Sequence, residues 1–269
     1  MCGRFGFFEL RYFLDRLRQL ELPFEENEHY GFMPGYNIAP ESTITVLLGN
    51  EGSNVLSNAH WGLIPHWAKA LPKVRPINAR AESLGVKPYF RHMLNHRHCL
   101  IPASGFYEWN AVRDASDASP KSSDMRDASK KQSSDMRDAS EKQSSDTRDA
   151  SVKKQPWYIH RADGHPMAFA GLWDTWEPTG REKPAVTSCT IITTAANREM
   201  RPIHERMPVI LEPETWRLWL EPETGFAEKL LKPAAEGILE LYPVSTRMNN
   251  PQYIRKDCIE KLDASVQGK

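Results

Sequence analysis

The chain has 269 residues, with 35 Lys+Arg balanced by 35 Asp+Glu. That length allows a substantial core, and the zero net charge means that any site for a polyanion must be a local patch. The four cysteines (Cys2, Cys99, Cys189, Cys258) stand far apart without a CxxC pair, which argues against a disulfide scaffold or zinc module and suits a reducing cytosol. No run approaches the 18 apolar residues of a membrane span, and Glu9, Arg11 and Asp15 interrupt any secretory leader, so a soluble cytoplasmic protein without membrane contact is expected.

In chain order, the sequence opens with MCGRFGFF. Cys2 reads in two ways. It can start an edge strand and fill a small apolar gap, as free cysteines commonly do. Alternatively, removal of Met1 leaves a residue carrying both a thiol and a free α-amine. From Phe7 to Leu20, apolar residues at helical spacing (Leu10, Phe13, Leu14, Leu17) alternate with charges and predict an amphipathic helix. STITVLLG (42–49) reads as a strand, and HCLIPASGFYEW (98–109) is β-rich and aromatic. Between these two, RHMLNHRHC holds His92, His96, His98 and Cys99. His92 and His96 would share a helix face at a spacing used by zinc sites, but no HExxH pattern occurs. A basic, partly exposed helix end is expected there, with no metal and no cofactor.

Residues from about 111 to 155 differ in kind from their flanks. MRDASKKQSSD (125–135) is followed by MRDASEKQSSD (136–146) and TRDAS (147–151), an 11-residue repeat with a degenerate first copy in 112–124. Each copy offers one Met and one Ala, too little apolar surface to offset the entropy of ordering, so 112–154 is expected to be a disordered insertion. Its removal joins GFYEWN to PWYIHRADG as two strands of an expanded hairpin. PWYIHRADGHPMAFAGLWDTW (156–176), with a turn at Asp163-Gly164, and SCTIITTAA (188–196) continue the β pattern. PETWRLWL (213–220) predicts a helix, and LELYPVST (239–246) a last strand. Strands and helices mix without βαβ alternation or a Gly-rich phosphate loop. This favours one α+β domain over 1–250 with a mainly antiparallel sheet, interrupted by the insertion and followed by a tail, 251–269.

Five stretches place polar groups beside Pro- or Gly-marked apolar backbone: CGR (2–4), YNIAP (36–40), INAR (77–80), SGFYEW (104–109) and PIHERMP (202–208). Glu108 among aromatics is either paired or raised in pKa, and its structural alternative is a carboxylate that pins a loop or pairs with an arginine. His204 lies between two prolines and could be a satisfied structural histidine. Asn78 and Arg80 could be turn-formers.

In this order, MCGRF, YNIAP, WGLIPHWA, INARAES, CLIPASGFYEW and IHERMP resemble the SOS response-associated peptidase (SRAP) family, also called abasic-site processing proteins. The resemblance runs from Cys2 to about Val244 apart from the repeats. It implies a curved, barrel-like sheet flanked by helices, a basic groove for single-stranded DNA, and a covalent adduct between Cys2 and abasic sites. It places the family's catalytic residues on Cys2, Asn78, Glu108 and His204. DNA-binding positions fall on Arg4, Arg80 and Arg206, with Trp67 and Pro40 as candidates to stack on bases. Ala68 stands where some relatives carry a second aromatic.

That chemistry suits a terminal cysteine. An α-amine with a pKa of about 7.8 is roughly one-third neutral at pH 7.5, against about 0.1% for an ordinary lysine, and so attacks the ring-opened aldehyde more readily. The thiol can then close a five-membered thiazolidine on the imine carbon. Glu108 and His204 would move protons, and the arginines would neutralise phosphates. The expected product is a lyase-like DNA–protein crosslink made by a monomer, nucleoid-associated in a prokaryote, with possible autocatalytic release of Met1. Two rival readings are a cysteine peptidase (hydrolase) using Cys2, and a non-covalent reader of modified or single-stranded DNA.

Overall fold

Short strands at the start of the chain set up the sheet that later carries the site. β1 (Phe5–Phe7) is followed by helix α1 (Leu10–Gln19), β2 (Phe24–Glu26), β3 (Gly35–Ile38), β4 (Thr43–Leu48) and β5 (Asn54–Trp61). Next come β6 (Asn78–Arg80), a single helical turn α2 (Pro88–Arg91), β7 (His98–Ala103) and β8 (Gly105–Ala111). The second half holds β9 (Lys154–Arg161), β10 (Met167–Trp176), β11 (Val186–Ala195), β12 (Arg206–Pro208) and β13 (Ile210–Leu211). Two short helices, α3 (Trp216–Leu220) and α4 (Ala227–Leu230), precede β14 (Leu239–Pro243). The computed structural model describes residues 2–50, 53–111, 154–178, 184–221 and 227–262. The repeat read as a disordered insertion lies outside them. One compact unit comprises residues 1–110 and 155–269.

A ring of five strands cannot alternate direction all the way round, so it must contain a parallel contact. β5, β4, β7, β10 and β11 form such a ring through four antiparallel pairings, and β11 returns to β5 in parallel with Ser188 opposite His60 and Cys189 opposite Trp61. The closure leaves no free edge between these strands. β10 is buried along nearly its whole length because both of its faces are covered. Beyond the closure β11 continues with new partners. β6 runs parallel to Ile191–Thr193, and β12 runs antiparallel to Thr193–Ala195. The fold is thus α+β and mostly sheet, as the sequence pattern implied.

A second sheet, ordered β14-β9-β8-β1-β3, packs against the barrel. β9 neighbours β8, so the strands on either side of the repeat segment lie together. Phe5 and Phe106 make edge contacts with Trp61 and Phe169 of the barrel, with centroids 5.2–6.1 Å apart. Side chains alternate across a strand, so Glu108 shares the barrel-facing side of β8 with Phe106. Tyr107 faces the other way into a small cluster with Tyr158, Val244, Met248 and Cys258. Residues 251–262, expected as a tail, close this cluster. Tyr253 and Ile259 pack on it, and Leu262 N–H donates to the Pro243 carbonyl.

Some expectations shift in detail. The first helix starts at Leu10 because Phe7 is buried in β1, opposite Gly35. No helix runs through His92–His96. α2 ends at Arg91, a 3₁₀ turn spans Met93–Asn95, and His98 enters β7 with its ring stacked on Trp219 at 3.9 Å. Among the described residues no helix is long and apolar enough to cross a membrane.

The barrel leaves no room at Gly171 in β10. A Cβ there would lie 2.7 Å from Cys99 Sγ, 2.8 Å from Ile101 Cδ1 and 3.1 Å from the Thr190 carbonyl. Gly171→Ala is expected to cost about 1–3 kcal/mol, and thermal unfolding should show Tm falling by roughly 2–4 °C per kcal/mol. An unchanged Tm would mean that the barrel wall yields at this point.

Candidate active site

Four segments far apart in sequence meet where the second sheet faces the barrel. Cys2 precedes β1, Asn78 opens β6, Glu108 lies on β8, and His204 sits in the turn before β12. Pairing of β6 and β12 with β11 places Asn78 opposite Ile191 and the His204 turn just beyond Ala195, both on the C-terminal half of that strand. The turn is built locally. Asn197 accepts the Met200 N–H and donates to the Ala234 carbonyl, and the His204 N–H donates to the Met200 carbonyl at 3.0 Å.

Cys2 is fully buried in the main core, and Asn78 Nδ2 donates to its carbonyl at 2.8 Å. That bond fixes the backbone at the position that carries the thiol. The thiol faces the Arg4 carbonyl at 3.9 Å, a weak contact. Burial pushes its pKa far above the usual thiol range, and the neighbouring Glu108 carboxylate pushes in the same direction. Glu108 is itself only 3% exposed. Its pKa is raised chiefly by burial, against the favourable effects of the amino terminus and of His204. His204 Nδ1 lies 2.9 Å from the Arg206 N–H and 3.2 Å from the Arg206 carbonyl, so the ring is held by this one residue's backbone. The carboxyl of Glu108 therefore lies within electrostatic reach of both the thiol and the imidazole.

The three arginines divide. Arg4 is buried, donates to Asn37 Oδ1 at 2.7 Å and to the Met248 carbonyl at 3.1 Å, and lies over the Trp109 ring. Asn37 Nδ2 reaches the carbonyls of Met248, Asn250 and Tyr253 at 2.8–3.2 Å. Arg4 and Asn37 together pin the C-terminal segment, so the Arg4 guanidinium does not face solvent, where a phosphate would sit. Burial lowers its pKa, as expected of a charge held by neutral partners. Arg206 donates to both oxygens of Glu82, at 2.7 and 3.0 Å, and to the Thr193 carbonyl at 2.7 Å. The same pair holds the Glu82 carboxyl below its usual range. Arg80 is exposed.

Trp67 is 53% exposed, with its ring edge-on to Tyr89. Its loop is held on both sides, because Tyr89 Oη donates to the Leu63 carbonyl and Trp176 Nε1 to that of Ala68. Pro40 is half-buried at the turn before β4. Asn37 and Glu82 escaped the sequence reading as partners, although both lie in stretches it singled out. The available signal was that an arginine in a buried motif needs an acceptor nearby.

Among known proteins, the family profile described as SOS response associated peptidase (SRAP) matches residues 1–132 and 142–251. The chain is 35% identical over 267 residues to the abasic site processing protein YoqW of Bacillus subtilis (strain 168), covering 97% of this chain and 99% of that one. It is 28% identical over 272 residues to the abasic site processing protein HMCES of Rattus norvegicus, covering 95% of this chain and 72% of that one. A crystal structure of a protein from Bacteroides thetaiotaomicron superposes with a TM-score of 0.64 at 21% identity, covering 85% of this chain and 86% of that one, a likeness of fold.

The buried carboxyl gives a pH test. Glu108 titrates higher in the folded protein than in the unfolded chain, so ionising it subtracts from stability above the folded pKa. That cost disappears below about pH 4.3, where the unfolded chain binds the proton too. Glu108→Gln is expected to be more stable than the parent in denaturant titrations at pH 7–8, with the difference shrinking toward pH 4. A difference independent of pH would show that the carboxyl is not held against its ionised form.

Proposed function

Because the chain belongs to the SRAP family, we propose that it processes abasic sites by capturing them covalently in single-stranded DNA, with Cys2 as the joining residue once Met1 has been removed. The observation that carries this reading is the Cys2 backbone held by Asn78, with the thiol beside a buried carboxyl. The α-amine of Cys2 adds to the aldehyde of the ring-opened deoxyribose and gives a carbinolamine. Glu108, whose pKa burial raises, donates to the departing hydroxyl, so water leaves and an imine forms. The sulfur then adds to the imine carbon, the thiol proton passes to nitrogen, and a thiazolidine closes. The net change is loss of one water. His204 takes the proton that the nitrogen sheds as the imine forms and passes it back to Glu108, so both groups end as they began.

The rival peptidase reading requires a thiolate poised near neutral pH. A thiol whose pKa burial drives upward favours the ring-closing route, in which the nucleophile that starts the reaction is the amine. Release of Met1 by the protein itself is compatible with this route. The proposed DNA contacts come from exposed Arg80 on the phosphates and from Trp67 and Pro40 against bases. Arg4 and Arg206 act by holding the architecture around them.

Intact mass after mixing with abasic single-stranded DNA is the direct test. The chain without Met1 should gain the DNA mass less one water. Cys2→Ala should lose the heat-stable adduct and keep non-covalent binding. A heat-stable adduct on Cys2→Ala would overturn the assignment, and cleavage of an unrelated protein without DNA adduct would favour the peptidase.

Salt dependence separates the arginines. Arg80→Ala should flatten the slope of log affinity against log salt by roughly 0.7, one phosphate contact on a single strand, and its crosslinking should recover at saturating DNA. Arg206→Ala should change that slope less, because its charge already pairs with Glu82. Binding titrations at several salt concentrations check both. Equal slope changes for the two variants would return Arg206 to the phosphate-binding set.

A further inference from the structure

Two histidines outside the proposed site converge on one carboxylate oxygen. Asp174 on β10 is almost wholly buried, with its side chain only 3% exposed. Its Oδ1 accepts the Thr175 N–H at 2.9 Å, and its Oδ2 accepts the His66 N–H and lies 2.8 Å from His66 Nδ1. His92 Nε2 points at the same oxygen from 3.6 Å, too far for a hydrogen bond. That nitrogen is shielded from solvent and has no hydrogen-bond partner. The two imidazoles meet edge to face at 4.9 Å. One donor atom from each of the three residues falls within 4.8 Å of the others.

We propose that His66, His92 and Asp174 form a binding site for a single Zn²⁺-type divalent metal ion. Around a tetrahedral ion with ligands at about 2.0–2.2 Å, donors stand roughly 3.4 Å apart, and the observed 2.8 and 3.6 Å bracket that spacing. The ion would satisfy the orphaned His92 Nε2 and the buried carboxylate together. Two imidazoles with one carboxylate suit a borderline cation better than Mg²⁺ or Ca²⁺. His66 binds through Nδ1 after its proton moves to Nε2, so the neutral ring loses no proton. Its half-exposed side chain leaves the fourth position to water. Thr175 N–H on Oδ1 orients the carboxylate in the manner of an outer-shell partner.

The ligands come from three segments: the loop after β5, the turn after α2, and β10. A bound ion would therefore staple the loop that carries Trp67, the neighbour of His66, to the barrel. No redox or hydrolytic step is involved. The sequence reading looked for a metal within RHMLNHRHC, but His98 turns inward, with its nitrogens 2.6 Å from the carbonyls of Trp219 and Leu94. Only His92 of that run joins the cluster.

The test uses the full chain, free of any affinity tag and stripped with a chelator, then titrated calorimetrically with ZnCl₂. One ion per chain is expected, with a rise in Tm. His66→Gln, His92→Gln and Asp174→Asn should each weaken binding by at least about tenfold and remove the rise. The two histidines are partly exposed, so their variants report even if Asp174→Asn fails to fold. Co²⁺ in place of Zn²⁺ should give visible d–d bands without sulfur-to-metal charge transfer. Absence of binding to the parent chain, unchanged binding in the histidine variants, or a thiolate charge-transfer band would each overturn the site.

Discussion

The arrangement depends on a single parallel contact, the return of β11 to β5. Five strands close into a barrel only if one neighbouring pair runs parallel, and here that pair is Ser188–Cys189 against His60–Trp61. The same parallel alignment lets the chain leave β5, form the Trp67 loop and come back as β6 beside Ile191–Thr193. Without it, Asn78 would not arrive at the Cys2 carbonyl. β12, on the antiparallel side of β11, then brings the His204 turn to the same half of that strand. A long-range pairing of this kind has little local driving force. Its stability comes from burial of the ten-residue strand β11 and its neighbour β10, also ten residues long.

Buried charge is handled differently at three places, and the differences follow from what each group touches. Arg4 keeps its charge among neutral acceptors, Asn37 and the Met248 carbonyl, and thereby locks the C-terminal segment over the second sheet. Arg206 is paired with Glu82, so the two charges cancel locally and hold the turn that carries His204. Glu108 is only 3% exposed, and burial pushes its carboxyl toward the neutral form against the pull of the amino terminus and His204. An ion-paired carboxylate and a carboxyl pushed toward its neutral form therefore sit within one small region. Environment, and not residue type, separates their roles.

The same rule applies on the far side of the Trp67 loop. Asp174 is buried as deeply as Glu108, yet it meets two imidazoles and two backbone N–H groups. The residues on either side of Trp67 are thus anchored by polar groups of β10 in the barrel wall. An exposed aromatic needs that rigidity to serve as a stacking platform, because a mobile ring would lose conformational freedom on binding.

The sequence by itself determined the element types, since period-2 alternation and helical spacing reflect which face each residue buries. It also determined the candidate residues Cys2, Asn78, Glu108 and His204, because polar groups beside Pro- and Gly-marked apolar backbone stand out locally. Composition alone marked the repeat as foreign to the rest of the chain. Only the tertiary structure decided which of the matched arginines face solvent. Arg4, Arg80 and Arg206 look alike in sequence, but their partners Asn37, Met248 and Glu82 lie 33, 244 and 124 residues away from the arginines they bind. The joining of His66, His92 and Asp174 was equally invisible, being set by the register of β10 against loops far from it in the chain. Local pattern records burial, whereas partnership across the core is a property of chain closure, and no window of sequence contains it.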